Sequence, residues 1–95
     1  MKNDRLINIG KIIGVFGIKG ELKIYSESDF IDYRFRVGAH IYLKNKKIAK
    51  EVVVTSMRIH KKTILIQIDN LNDINLVFDY IGCDIYAKYE DMPTL

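Results

Sequence analysis

The chain has 95 residues, 48% of them hydrophobic and 28% charged, with one proline and one cysteine. That suffices for one small globular core, while the single Cys83 excludes an internal disulfide and leaves no cysteine–histidine cluster for a structural zinc, as expected of a reducing cytosol. The net charge of +3 is unevenly spread, with 14 Lys/Arg against 6 Asp/Glu in residues 1–62 and 1 against 6 in residues 63–95, so a basic and an acidic surface are both expected.

The polar start Met1-Lys2-Asn3-Asp4-Arg5, followed by an apolar run broken at Asn8 and Lys11, fits neither a signal peptide nor a membrane span. Residues 6–13 and 22–25 read as two strands joined through Gly14, Gly17 and Gly20. Glycines at a spacing of three, able to take positive φ and to let backbones close up, predict a sharply folded barrel corner, with Lys11, Lys19 and Lys23 beside it. Residues 27–38 lose alternation and read as a connection with about one helical turn, its aromatics Phe30, Tyr33 and Phe35 folded back on the barrel. A short strand over 39–43, the polar turn Lys44-Asn45-Lys46-Lys47 and a long strand over 48–60 follow. In the long strand Val53, Met57 and Ile59 are expected on one face, and Ser56, Arg58 and His60 on the other.

The next strand, 63–69, puts Ile64, Ile66 and Ile68 on one side and Thr63, Leu65 and Gln67 on the other. If Lys61-Lys62 is a two-residue turn, His60 faces Thr63 and Ile59 faces Ile64 without a register slip. Such turns want Asn or Gly, so a longer loop or a bulge is expected instead. Residues 73–81 read as a helix capped by Asn72, with Asp73 at its positive end and a stripe of Ile74, Val77, Phe78 and Ile81 closed by Gly82. A last strand over 83–88 puts Cys83, Ile85 and Ala87 on one face, and Asp84 beside Cys83 marks its thiol as buried and inert. Six strands, one short helix near the C-terminus and a glycine corner specify a mainly β fold, a small closed six-stranded antiparallel barrel.

Catalysis finds no support. His40 and His60 fall on separate strands, without a Ser, Cys or paired carboxylate at a workable spacing. The glycine corner lacks G-x-x-x-x-G-K-[ST], and no helix follows it to hold a phosphate. No cofactor, metal or enzymatic activity is expected.

Gly10, Gly14, Gly17, Lys19, Gly20, Glu21, Leu22 and Lys23 together resemble the opening signature of the ribosome maturation factor RimM family. Ser28-Asp29-Phe30 resembles that family's threonine-aspartate-phenylalanine segment, Arg58-Ile59-His60-Lys61 its arginine-x-histidine hairpin, and residues 73–82 its acidic-start helix ending in glycine. The sequence departs from the pattern at Phe16, where histidine is common, at Ser28 for threonine, at Lys62 for a small turn residue and at Phe78 for alanine. The resemblance implies a β-barrel of the translation-protein type over residues 1–88, the start of an interdomain linker over 89–95 and a second, PRC-barrel domain beyond this chain, so the open reading frame is expected to run past Leu95. It also implies a monomeric, cytoplasmic, non-enzymatic factor in maturation of the 30S subunit and processing of 16S rRNA. Such a factor binds the immature small subunit at its head, through a ribosomal protein and nearby 16S rRNA. The alternative is a flavin-type small-ligand barrel, although the arginine-x-tyrosine-serine signature of those domains does not occur.

The candidate contacts to RNA or ribosome are Lys19 and Lys23 at the corner and Arg58, His60, Lys61 and Lys62 at the hairpin. Arginine offers a planar fork and lysine a mobile point charge, which suits an irregular phosphate backbone. Tyr25, Tyr33 and Tyr42 are candidates for stacking on unpaired bases, with barrel packing the plainer expectation.

Overall fold

Six antiparallel strands close into a barrel in the computed structural model, which describes residues 5–27 and 30–88. They are β1 (Leu6–Phe16), β2 (Glu21–Tyr25), β3 (His40–Lys44), β4 (Ala49–His60), β5 (Thr63–Ile68) and β6 (Asp84–Lys88). Around the barrel the order is β1-β2-β5-β4-β3-β6, with β6 returning to β1, so closure leaves no free sheet edge. The period-two pattern sends Leu22 and Ile24, Ile41 and Leu43, Ile64, Ile66 and Ile68, and Ile85 and Ala87 into one buried core. Residues 89–95, the expected linker, and Ser28-Asp29 lie outside the described residues.

The two long strands change face by bulging. In β4 the register against β5 shifts between Val54 and Ser56. Val52 and Val54 are buried before the shift, Met57 packs on the core after it, and Ile59 is exposed near the strand's end. The expected common face of Val53, Met57 and Ile59 is therefore corrected, because one extra residue reverses the parity of everything beyond it. β1 bulges twice, between Asn8 and Gly10 against β6 and between Ile12 and Gly14 against β2. Gly10 is required by close approach, since a Cβ there would stand 2.7 Å from the carbonyl oxygen of Tyr25. Gly14 lies within β1 rather than in the corner, and the turn itself runs from Gly17 to Gly20.

The connection from β2 to β3 holds one turn of helix, α1 (Ile31–Arg34). Of its aromatics only Phe35 enters the core; Tyr33 is half-buried under the Arg36 guanidinium, 4.1 Å from its ring centre, and Phe30 is exposed. The expected helix over 73–81 is instead two 3-10 turns, Ile74–Leu76 and Phe78–Tyr80, capped by the Asp73 side chain, which accepts from Asn75 N at 2.8 Å. Ile74 N donates to Ile18 O (3.0 Å) and Gly82 N to Ile12 O (2.8 Å), so both ends of the segment are fixed on the β1 region. Only Val77 of the expected stripe is fully buried.

Candidate nucleic-acid interface

The β4–β5 hairpin turns in two residues. His60 faces Thr63 and Ile59 faces Ile64, while Lys61 and Lys62 take φ of +49° and +69°. Positive φ at both central residues is the signature of the type I′ turn, whose twist matches the strands it joins. The expected longer loop is thus corrected: strand register at the hairpin prevails over the preference of lysine. Asp69 and Asn70, also at positive φ, are residue types that tolerate that region; lysine gains no such relief and is strained there by about 1–2 kcal/mol.

On the outer face of the barrel, one row of cross-strand neighbours runs from Gly14 to Lys23, Leu65 and Arg58. Leu65 points outward by parity and is nonetheless fully buried. It lies in the lining of a groove of about 270 Å³ bounded by Phe16, Lys23, His60, Lys61 and Thr63. The Phe16 ring stands 5.2 Å from the His60 ring and 5.6 Å from the Arg58 guanidinium, within the range of cation–π attraction. The structure thus gathers Lys23, Arg58, His60 and Lys61 on one face, with Lys62 at the exposed tip. Lys19 joins from the β1–β2 turn, whose carbonyl at Lys19 accepts a 2.9 Å hydrogen bond from Gln67 of β5.

Arg58 is not a free cation. Its Nε and one terminal nitrogen each donate to a different oxygen of Glu21 at 2.8 Å, a two-point fork across 37 positions of sequence. The hydrogen bond from Arg58 holds the Glu21 carboxyl below the usual carboxylate range against the opposing effect of burial, with the charges of Arg58, Lys19 and His60 adding to the lowering. A lowered folded pKa means stability that is fully present above the unfolded carboxylate value and is lost as pH falls through the folded one. Wild type is accordingly expected to lose more melting temperature than Glu21→Gln between pH 7 and the acid side of that range. Equal losses in paired thermal melts would show the fork to be without effect on stability.

The other candidates lie elsewhere. Tyr25 is exposed at the end of β2, its hydroxyl donating to Glu27 at 2.5 Å. Tyr42 pairs with Tyr86 and Glu51 across β3, and Tyr33 lies beside α1 with Arg36; none adjoins the groove. His40, expected without a carboxylate partner, meets Glu51 across β3–β4 at 3.0 Å in an exposed pair, which is a surface contact rather than a catalytic one. Cys83 is buried, and burial, with Asp84 adding, pushes its thiol pKa up. Among the described residues no three His, Cys, Asp or Glu gather as a metal site, and no helix is long and apolar enough to cross a membrane. Sequence reading missed Glu21, Phe16 and Leu65 as parts of this face. A signal for Leu65 was present, since the unbroken apolar run Ile64-Leu65-Ile66 indicates a strand covered on both sides.

The RimM N-terminal domain family matches residues 7–92. The chain belongs to this family. Ribosome maturation factor RimM of Limosilactobacillus fermentum is 35% identical over 91 residues, covering 95% of this chain and 54% of the relative. That of Staphylococcus haemolyticus is 34% identical over 88 residues, covering 90% and 53%. The chain therefore spans about half the length of these RimM relatives. Among solved structures, a 16S ribosomal RNA processing protein RimM from Pseudomonas aeruginosa superimposes with a TM-score of 0.83 at 26% identity, over 96% of this chain and 55% of that one. The N-terminal domain of RimM from Thermus thermophilus does so with a TM-score of 0.76 at 18% identity, over 95% and 96%, a likeness of fold.

Proposed function

We propose that this domain is a non-enzymatic ribosome assembly module of the cytoplasm, acting in 30S maturation and 16S rRNA processing, with the hairpin face meeting rRNA of the immature subunit's head. Membership of the RimM N-terminal domain family and relatives named ribosome maturation factor support the assembly role. On this reading the barrel is the first of two domains, with residues 89–95 beginning the linker to a PRC barrel, and a ribosomal protein of the head shares the contact.

The observation that carries the rRNA contact is the Lys61-Lys62 turn. Two lysines occupy positions where Asn-Gly would be more stable, and local strain of this kind is characteristic of positions kept for function. Their charges project from the tip of a rigid hairpin, beside an aromatic-lined groove and next to Lys23. The groove is lined by the cations Lys23 and Lys61 and by the rings of Phe16 and His60, a combination that suits holding phosphates and unpaired bases.

A pull-down with immature small subunits tests the reading: the tagged chain is expected to retain them at low salt, and neutralising Lys61 and Lys62 together to release most. Retention of mature and immature subunits alike, or of neither, would overturn it. An absorbance spectrum of the purified chain showing bound flavin would favour the small-ligand barrel instead.

A further inference from the structure

On the wall of the barrel opposite the hairpin face, a groove of about 320 Å³ is lined by Leu6, Tyr42, Tyr86, Lys44, Lys50 and Glu51. In the ring of six strands β3 stands opposite β2 and β6 opposite β5, so this groove and the row through Lys23 and Leu65 face away from each other. Tyr42 and Tyr86 are direct cross-strand partners. Each alternates with buried neighbours, Ile41 and Leu43 on one strand and Ile85 and Ala87 on the other, so both rings lie on the outer face, half-buried. Side chains directly opposite one another on one face are within about 5.5 Å at Cβ, which makes the two rings one aromatic patch.

The β3–β4 turn brings charge to its edge. Lys44, Lys46, Lys47 and Lys50 put four lysines into seven residues, all exposed, and the hairpin face uses none of them. Asn45 pins this turn: its N–H donates to Ile48 O at 2.8 Å, and its side-chain oxygen accepts from Lys47 N at 2.7 Å and Ile48 N at 2.6 Å. The lysine side chains take no part in these bonds. Glu51 is paired with His40 at 3.0 Å, Asp84 lies opposite Lys44, and Lys50 reaches the Tyr80 hydroxyl at 3.2 Å, so the side nearest the turn is positive. Rings for base faces, with mobile cations beside them for phosphates, match the chemistry of an unpaired strand. A duplex keeps its base faces stacked inside and would leave the rings unused.

We propose that this groove holds a single-stranded RNA segment, its bases stacked on Tyr42 and Tyr86 and its phosphates on Lys44, Lys46 and Lys47, so that the barrel holds two RNA segments on opposite walls. That the RNA is ribosomal rests on the assembly reading above.

The test is a titration of the isotope-labelled 95-residue chain with pentauridine, followed by NMR of the amides and tyrosine rings. Signals of Tyr42, Tyr86 and residues 44–50 are expected to shift. Tyr42→Leu with Tyr86→Leu is expected to weaken binding at this groove at least about fivefold, the lower end for one stacked base, while the hairpin signals respond as in wild type. Tyr42→Phe with Tyr86→Phe keeps both rings and should bind like wild type. Lys46→Gln with Lys47→Gln, in an exposed turn away from the core, should flatten the salt slope of this site by about one unit. Tyrosine signals that stay in place, an affinity unchanged by loss of the rings, or an RNA duplex bound here as tightly as the pentamer would overturn the proposal. So would a concentration-dependent doubling of mass that the leucine variant abolishes, which would give the groove to a second copy of the chain. If pentauridine shifts only Lys61 and Lys62, this inference alone fails. If it shifts only the tyrosine groove, this inference stands and the hairpin contact fails. If it shifts neither, both fail.

Discussion

Replacing Gly20 by alanine is expected to destabilise the domain by about 2–4 kcal/mol, because two separate penalties fall on one atom. Gly20 has φ of +76°, and a Cβ there would stand 2.9 Å from the carbonyl oxygen of Asp73 and 3.0 Å from its carbonyl carbon. Both neighbours are backbone held in place by the Ile74 to Ile18 hydrogen bond, so neither can swing away as a flexible side chain would. For a domain of this size the melting temperature should fall by about 10–25 °C. Gly17 provides the control. Its φ is +74° but nothing lies within 4 Å of a built Cβ, so Gly17→Ala should lose only about 1 kcal/mol. Gly14→Ala, whose Cβ would make an ordinary 3.7 Å contact with Lys23, should be close to neutral. Thermal melts of the three variants give the ranking. If Gly20→Ala melts like wild type but no longer holds subunits, the corner is a contact surface and its structural assignment is wrong.

Exchanging Lys61-Lys62 for Asn-Gly is expected to move stability and RNA binding in opposite directions. Relief of two left-handed lysines should stabilise the domain by about 1–3 kcal/mol. The same change removes two positive charges from the tip of the proposed interface. With Arg58 committed to Glu21, Lys19, Lys23, Lys61 and Lys62 are the cations left for phosphate. About four such contacts, each contributing roughly −0.7, give a log–log salt slope near −3 for single-stranded RNA. The variant should flatten that slope by about one to two units and weaken binding alike across sequences, because phosphate contacts carry no base information. A salt titration of head-domain rRNA fragments against both proteins measures this directly. A slope near zero in wild type, or the same slope in the variant, would move the RNA contact off the hairpin and leave protein recognition as the barrel's main task.

Much of the barrel was legible in the chain because its cues are local. Alternation in residues 63–68 and 84–88 marked β5 and β6. The apolar pattern also allows the pairing of Ile59 with Ile64, but lysines disfavour a tight turn and so point to a longer loop; strand pairing overrode that preference. The glycines, Glu21-Leu22-Lys23 and the arginine-x-histidine hairpin were enough to suggest the family. Tertiary structure decided the rest, for reasons that share one form. The parity of β4 depends on a bulge between Val54 and Ser56 that no single strand announces. The 73–81 segment has the periodicity of an α-helix, yet with both its ends tied to the β1 region it forms two 3-10 turns. Leu65 is buried because side chains from other parts of the barrel close over it. Arg58 reads as a free cation in the sequence and becomes half of a fork only when closure of the barrel brings Glu21 within 2.8 Å. Propensity and alternation act over a few residues and so appear in the order of the chain, whereas these four features arise from contacts between distant segments, which exist only once the sheet has closed.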